Sequence, residues 1–317
     1  MAKARELKRR IRSISSTRQI TKTMEMVATS RLKKAQDRVV AARPYAAALA
    51  EVIGDLYAPE LAERFPLLRR PAADTGGGVP RRTALVLITS NRGLCGGFNA
   101  NLIREARRRL QELEGAGGGG GTVELHLVGR KGIAFFRFTK RALASQRIDI
   151  GDRPTPAHAA EVITPLMQRF AHGELDAVEI VFAKFNSPVS TPPTVLRVLP
   201  ITPPRAEGRN GGQADERHSH ATARPPDRPT ARFYILKPSA EAILETLLPL
   251  YVNNQMYRAL VETAAGEHGA RRTAMKNATD SAGDILDVLR RTYNRARQAQ
   301  ITQELAEIVG GAEALKG

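Results

Sequence analysis

The decapeptide Ser90 to Asn99, SNRGLCGGFN, is the one stretch of this chain whose residue types and spacing suggest phosphate chemistry. It follows a short apolar run, Thr83 to Ser90 (TALVLITS), and opens an amphipathic run from Asn99 to Leu113. In that strand–loop–helix setting, backbone N–H groups at a helix start can bind phosphate. The spacing is neither GxGxxG nor GxxxxGK(S/T), so no lysine is placed for a terminal phosphate. Its three glycines serve a tight turn and close helix packing equally well, and the structural reading is preferred. Cys95 has no histidine or other base beside it in sequence and reads as a packed thiol rather than a nucleophile. The six histidines offer no metal-ligand spacing, and His218 and His220 read as a chance pair. With no HExxH, DxD or Ser/His/Asp arrangement, neither catalysis nor a cofactor or metal is expected of this chain by itself.

The elements around that loop alternate in type. Val123 to Gly129 and Ala177 to Phe185 read as strands, Gly132 to Phe138 and Ala157 to Ala171 as helices, and Val195 to Ile201 and Phe233 to Leu236 as edge strands. Such alternation predicts a Rossmann-like α/β domain with a mostly parallel sheet. Gly115 to Gly121 reads as a low-complexity hinge, and 202–230, rich in Pro, Gly, Arg and Asp, as a disordered insertion.

Flanking this centre are two long helical patterns. Ala28, Leu32, Ala35, Val39, Ala42, Ala46, Leu49, Ile53 and Leu56 step by four and three, the spacing of a coiled-coil seam. A second series runs from Ile243, Leu247 and Leu250 through Tyr257, Val261, His268, Arg271 and Met275 to Ala282, Ile285 and Leu289. Helices of some 55 and 70 residues would span roughly 80 and 105 Å. The simplest burial of both stripes is against each other, as a long antiparallel coiled coil. The expected units are therefore 1–56, an N-terminal coiled-coil helix; 57–238, the α/β domain; and 239–317, a C-terminal coiled-coil helix. Pro44 is expected to bend the first helix without ending it. Extended backwards, the first seam meets Arg18, Thr21 and Glu25. Either Ile20, Met24 and Val27 carry a shifted stripe there, or the coil meets something other than its mate.

Composition narrows the class. The net charge of +17 is uneven, with +10 falling on residues 1–43 and −1 on 239–317. A basic rod wants an acidic partner, either nucleic acid or an acidic protein surface. No apolar run is long enough to span a membrane, and a lone cysteine suggests no disulfide framework. A soluble intracellular protein or peripheral subunit is expected.

ITKTMEMVATSRLKKAQ (Ile20 to Gln36), SNRGLCGGFNANL (Ser90 to Leu102), AMKNATDSAGDIL (from Ala274) and YNRARQAQITQELAEIVGGAEAL (to Leu315) together resemble the gamma subunits of F-type ATP synthases of the bacterial type. The resemblance covers both helices and the centre in the right order. It implies a non-catalytic rotor shaft inside a hexamer of alpha and beta subunits, coupling proton flow to ATP synthesis on beta. The α/β domain would hold the epsilon subunit and the ring of c subunits. The membrane would be reached only through that ring, at the cytoplasmic face of the bacterial cell membrane, and no nucleic acid would be bound. By similarity Lys22, Met24 and Glu25 lie where the shaft meets an acidic beta lever, with Arg271 near them, while Arg297, Gln298 and Thr302 match positions that contact a beta catch loop. The competing reading is a basic coiled-coil nucleic-acid-binding protein, which lacks aromatic residues among its N-terminal cations.

Overall fold

The computed structural model describes residues 2–56, 64–69, 81–115, 121–202 and 240–314. A first helix, α1 (Ala2–Leu56), leads through a short 3-10 turn (Pro66–Leu68) to β1 (Arg82–Ile88). There follow α2 (Phe98–Gly115), β2 (Thr122–Val128), α3 (Arg130–Phe138), β3 (Ser145–Arg147) and α4 (Pro156–Ala171). The chain continues through β4 (Ala177–Ala183) and β5 (Pro193–Leu199) to a final helix, α5 (Ala240–Ala314). The edge-strand expectation at Phe233 to Leu236, the insertion from residue 203 and the glycines between 116 and 120 lie outside the described residues.

The sheet runs β3-β2-β1-β4-β5, with β1 parallel to β2 and β4, β2 parallel to β3, and β5 antiparallel at the edge. Strand periodicity sorts β1 between two cores. Ala84, Val86 and Ile88 pack towards α4 and the foot of both long helices, with Phe170, Ile163, Leu244 and Met256. Leu85 and Leu87 pack towards α2 and α3, with Leu102, Leu110 and Phe136. The strand β3 has no apolar side chain, which is why the sequence pattern passed over it.

The N-terminal seam is buried as its spacing predicts. Ala28, Leu32, Ala35, Val39, Leu49 and Ile53 are all buried, and Leu32, Ala35 and Val39 close on Val261 and Ala265. Pro44 lies within a helix that continues through it. An interior proline costs about 3 kcal/mol. Packing on both sides offsets that cost: Arg43 donates to the Phe185 carbonyl at 3.2 Å, and Leu49 and Ile53 enter the α4-side core.

The C-terminal series needs a correction at its two ends. Leu250 and Ile285 are exposed, and the buried positions are Leu244, Leu248, Val252 and Met256, then Leu286. Early in α5 the burying surface is α4 and the sheet as well as α1, so its buried face is turned by one residue from the coil seam.

Within the sheet sits a charge the sequence reading did not single out. Glu179, on β4, is 1% exposed and receives two hydrogen bonds from Arg109 of α2, both 2.7 Å, and one from Arg197 of β5 at 3.3 Å. It bolts a helix to two strands.

Candidate functional site

The Ser90–Asn99 loop closes on itself. The Ser90 hydroxyl donates to the Arg92 carbonyl at 2.6 Å, the Ser90 amide to the Asn99 side-chain oxygen at 3.0 Å, and the Asn99 amide nitrogen to Cys95 Sγ at 3.1 Å. Cys95 is buried, and burial pushes its thiol above the ordinary range, as suits a packing residue. Gly96 is used for its φ of +57°. From α5, Arg271 donates to the Gly93 carbonyl at 3.2 Å. The loop is thus a plate against which the long helix rests, the structural role preferred from its glycine spacing.

Around Arg271 the helix is bolted to the α/β domain by buried polar groups. Arg271 is 9% exposed, pairs with Glu267 at 2.6 Å and lies 3.5 Å from His268 Nδ1. Burial raises the Glu267 carboxyl, and Arg271 pulls it back. At His268 burial pushes the imidazole down to about 4, so it is neutral near pH 7. Two turns earlier, Glu262 accepts from the Phe185 amide at 2.9 Å and from Arg258 at 2.7 Å, while Thr263 accepts from the Ala183 amide at 3.3 Å. The bonds from the Phe185 and Ala183 amides reach the C-terminal end of β4, where a sheet's backbone would otherwise be left unpaired. From the other helix, Arg31 pairs with Asp152.

Beyond this joint, among the described residues, the two helices pack against each other. The Thr279 hydroxyl donates to Thr21 at 2.8 Å, and the Thr21 hydroxyl donates to the Arg18 carbonyl at 3.0 Å. Both threonines are buried, so the seam turns polar while keeping its frame. Ile20 and Val27 are instead 57% and 48% exposed. The shifted stripe does not form, and Ile20, Met26 and Val27 point away from the partner helix. Thr21→Val is expected to cost about 1 kcal/mol, the net worth of a buried hydrogen bond. The double variant Thr21→Val/Thr279→Val should cost about as much as Thr21→Val alone, because the shared bond is lost only once and the Thr279 hydroxyl of the single variant still has the Met275 carbonyl at 2.8 Å. Thermal melts of the full chain in a double-mutant cycle check this; additive losses would contradict it.

The structure brings Lys22, Met24 and Glu25 together on this stretch. Lys22 is exposed and pairs with Glu25 at 3.1 Å, and Met24 is half-buried. By the Thr21–Thr279 pairing Arg271 lies about five residues of helix nearer the sheet than the position facing Met24, and its side chain turns inward to Glu267 and the Gly93 carbonyl. Arg297, Gln298 and Thr302 are exposed on the far part of α5, where the Thr302 hydroxyl bonds the Gln298 carbonyl at 3.0 Å. Since Thr21 faces Thr279, and Arg18 lies 3.7 Å from where a Cβ on Gly283 would stand, the antiparallel register runs α1 out near residue 300 of α5. The remaining fourteen or so described residues of α5, about 20 Å of helix, lie past the described end of α1. Ile301, Leu305, Ile308 and Val309 on that overhang are exposed.

Among the described residues there is no cluster of potential metal ligands, and no helix is long and apolar enough to cross a membrane. The chain matches the family model described as ATP synthase over residues 3–315. It is 61% identical to the ATP synthase gamma chain of Gemmatimonas aurantiaca and 44% identical to that of Moorella thermoacetica, in each case over the whole of both chains. Among solved structures it resembles a chain of the central stalk and c-ring of the Tetrahymena thermophila mitochondrial ATP synthase, at 25% identity and a TM-score of 0.57, covering 82% of this chain and 99% of that one. A chain of the Euglena gracilis mitochondrial ATP synthase shares the fold at 19% identity and a TM-score of 0.63, over 99% of this chain and 95% of that one.

Proposed function

The chain belongs to the gamma-chain family of ATP synthase, and from that premise we propose how its parts are used. It is the rotor of the central stalk and carries no catalytic site, since the nucleotide chemistry lies on the beta chains. Alpha and beta chains surround the coiled coil, and the α/β domain stands on the ring of c subunits, with epsilon beside it. The observation that carries this assignment of parts is the overhang of α5. A single helix with Ile301, Leu305, Ile308 and Val309 uncovered is a tip built to be enclosed. Nothing favours the nucleic-acid reading of the basic N-terminal segment.

Three functional units follow, 1–56 and 239–317 as the shaft and 57–238 as the foot. Lys22, Met24 and Glu25, with the exposed Ile20 and Val27 beside them, face the acidic beta lever. Arg297, Gln298 and Thr302 face the catch loop higher up. Arg271 is spent inside the chain, so its share is to stiffen the joint rather than to touch beta. Exposed contacts of this kind are worth about 1 kcal/mol or less each, which lets the shaft leave every orientation it enters. The complex sits at the cytoplasmic face of the bacterial membrane, and this chain reaches the bilayer only through the ring.

Reconstitution tests the assignment. Mixed with alpha and beta chains of a related synthase, the chain should form a complex with one copy per three of each, which hydrolyses ATP while turning a probe fixed to the α/β domain. Glu25→Gln should slow turning less than about tenfold, the equivalent of 1.4 kcal/mol. Failure to associate would overturn the shaft assignment. Loss of turning from Glu25→Gln alone would show that one contact dominates, against a shaft held by many weak ones.

A further inference from the structure

Between the shaft and the foot lies a cleft of about 900 Å³ that the rotor role does not use. Six cations line it: Arg31, Lys34 and Arg38 from α1, Arg92 from the Ser90 loop, Arg130 at the start of α3, and Arg153 ahead of α4. Two aspartates also border it, and both are engaged. Asp149 is clamped by Arg147 at 2.7 Å, which holds its carboxyl down to about 2, and Asp152 pairs with Arg31. Lys34, Arg92, Arg130 and Arg153 have no carboxylate partner among the described residues. Four separate elements thus bring uncompensated positive charge to one concave place. Convergence of like charge opposes folding unless an anion fills the cleft, and a concave, low-dielectric wall concentrates the field on whatever enters.

The frame of the cleft is fixed. Asn91 donates to the Ile148 and Ile150 carbonyls, both at 3.0 Å, and accepts from the Arg130 amide at 2.9 Å, tying three loops into one wall. The first amides of α3 are already bonded, to Asn91, Ser90 and Thr89, so that helix adds only its dipole and the side chains must do the binding. His158 also lines the cleft, with its Nδ1 accepting from the Thr155 amide at 3.3 Å. Among the described residues no Phe, Tyr or Trp lines the cleft, so it offers no large ring as a platform for a nucleobase. The guanidinium groups suit forked recognition of phosphate oxygens.

We propose that this cleft is a binding site for a phosphate-chain anion, recognised through its phosphates and not through a base, which bridges α1 to the α/β domain and braces the joint. The proposal is independent of the rotor assignment, since it concerns the isolated chain.

Calorimetric titration of the full-length chain with sodium pyrophosphate tests it, with ATP and adenosine as parallel arms. Pyrophosphate and ATP should bind once per chain with affinities within about threefold of each other, and adenosine should not bind. Arg92→Gln and Arg153→Gln, both at exposed residues whose loss leaves no buried group unpaired, should each weaken pyrophosphate at least tenfold. Arg9→Gln/Arg12→Gln, which removes two charges at the far tip of α1, should leave it unchanged. As a second readout, pyrophosphate should protect Lys34 from acetylation. Equal weakening by the tip variant, or binding without saturation, would reduce the effect to general attraction by a chain of charge +17 and overturn the site. ATP bound far more tightly than pyrophosphate would overturn recognition through phosphates alone. Silence to pyrophosphate alongside saturable binding of a polyglutamate peptide would overturn it in favour of an acidic protein segment.

Discussion

Replacing Arg109 by methionine is expected to destabilise the α/β domain more than replacing Glu179, its partner, by glutamine. Arg109→Met removes both 2.7 Å bonds, whereas Glu179→Gln keeps one acceptor oxygen for Arg109, so the two changes leave different orphans behind. Without Arg109, the Glu179 carboxylate stays 1% exposed, and among the described residues Arg197 at 3.3 Å is what answers it. Without the charge of Glu179, Arg109 still has Glu112 at 3.0 Å, and its side chain is 23% exposed, so solvent takes up part of the loss. Breaking a buried pair costs about 3–5 kcal/mol. Arg109→Met belongs near the top of that range, and Glu179→Gln near or below the bottom. The double variant Arg109→Met/Glu179→Met should recover most of the loss, because an apolar pair in the same space needs no desolvation of charge. Urea midpoints of the four proteins check this order. A double variant as weak as Arg109→Met would show that the ion cluster itself, rather than the avoidance of an orphan, holds α2 to the sheet.

That cluster marks where sequence legibility ended. The helices and most strands of the fold could be read because their signals are periodic and local: the four-and-three seam from Ala28 to Ile53, and the apolar runs of β1 and β4. Glu179 interrupts an apolar strand, and its meaning depends on an arginine 70 residues earlier, a pairing no local pattern carries. β3 escaped for the opposite reason, being three polar residues held by backbone bonds to β2. In α5 the seam was misplaced by one residue at its foot, since a period of four fits either face until the position of the sheet is known. The interface reading fared unevenly in the same way. The polar break at Thr21 and Glu25 was visible as two open alternatives, and burial of Thr21 against Thr279 with exposure of Ile20 removes the shifted stripe. Arg271 was placed by resemblance near Lys22, Met24 and Glu25, and what no local pattern carried is that its side chain pairs with Glu267 and reaches the Gly93 carbonyl.

The joint that holds Arg271 yields the second large effect, at Gly269. Alanine at a glycine inside a helix ordinarily stabilises by about 1 kcal/mol. Here a Cβ would stand 2.6 Å from the Pro188 carbonyl oxygen, a backbone atom that cannot rotate away. Relieving the overlap must push the 186–191 loop off α5 or lift α5 from the loop, at about 1–3 kcal/mol for overpacking of this kind. The steric cost therefore exceeds the gain in helix propensity, and Gly269→Ala should lower stability by about 1–2 kcal/mol, with Gly269→Val lowering it further. Gly266, one turn earlier, is the control. Its Cβ would meet the Phe98 ring at 3.1 Å and Thr191 side-chain atoms at 3.3 Å, neighbours that can yield by a few tenths of an ångström. Gly266→Ala should accordingly lie near neutrality. The functional consequence follows from position. Gly269 sits between Glu267 and Arg271, so lifting the helix there lengthens the bond from Arg271 to Gly93 and loosens shaft from foot. In the assembled complex Gly269→Val should leave ATP hydrolysis nearly intact while lowering proton-driven synthesis several-fold, since hydrolysis can proceed with a slack joint and synthesis depends on torque crossing it. Melting curves and the ratio of the two rates in reconstituted vesicles decide the matter. Equal losses in both rates would mean that Gly269 matters for assembly and not for stiffness.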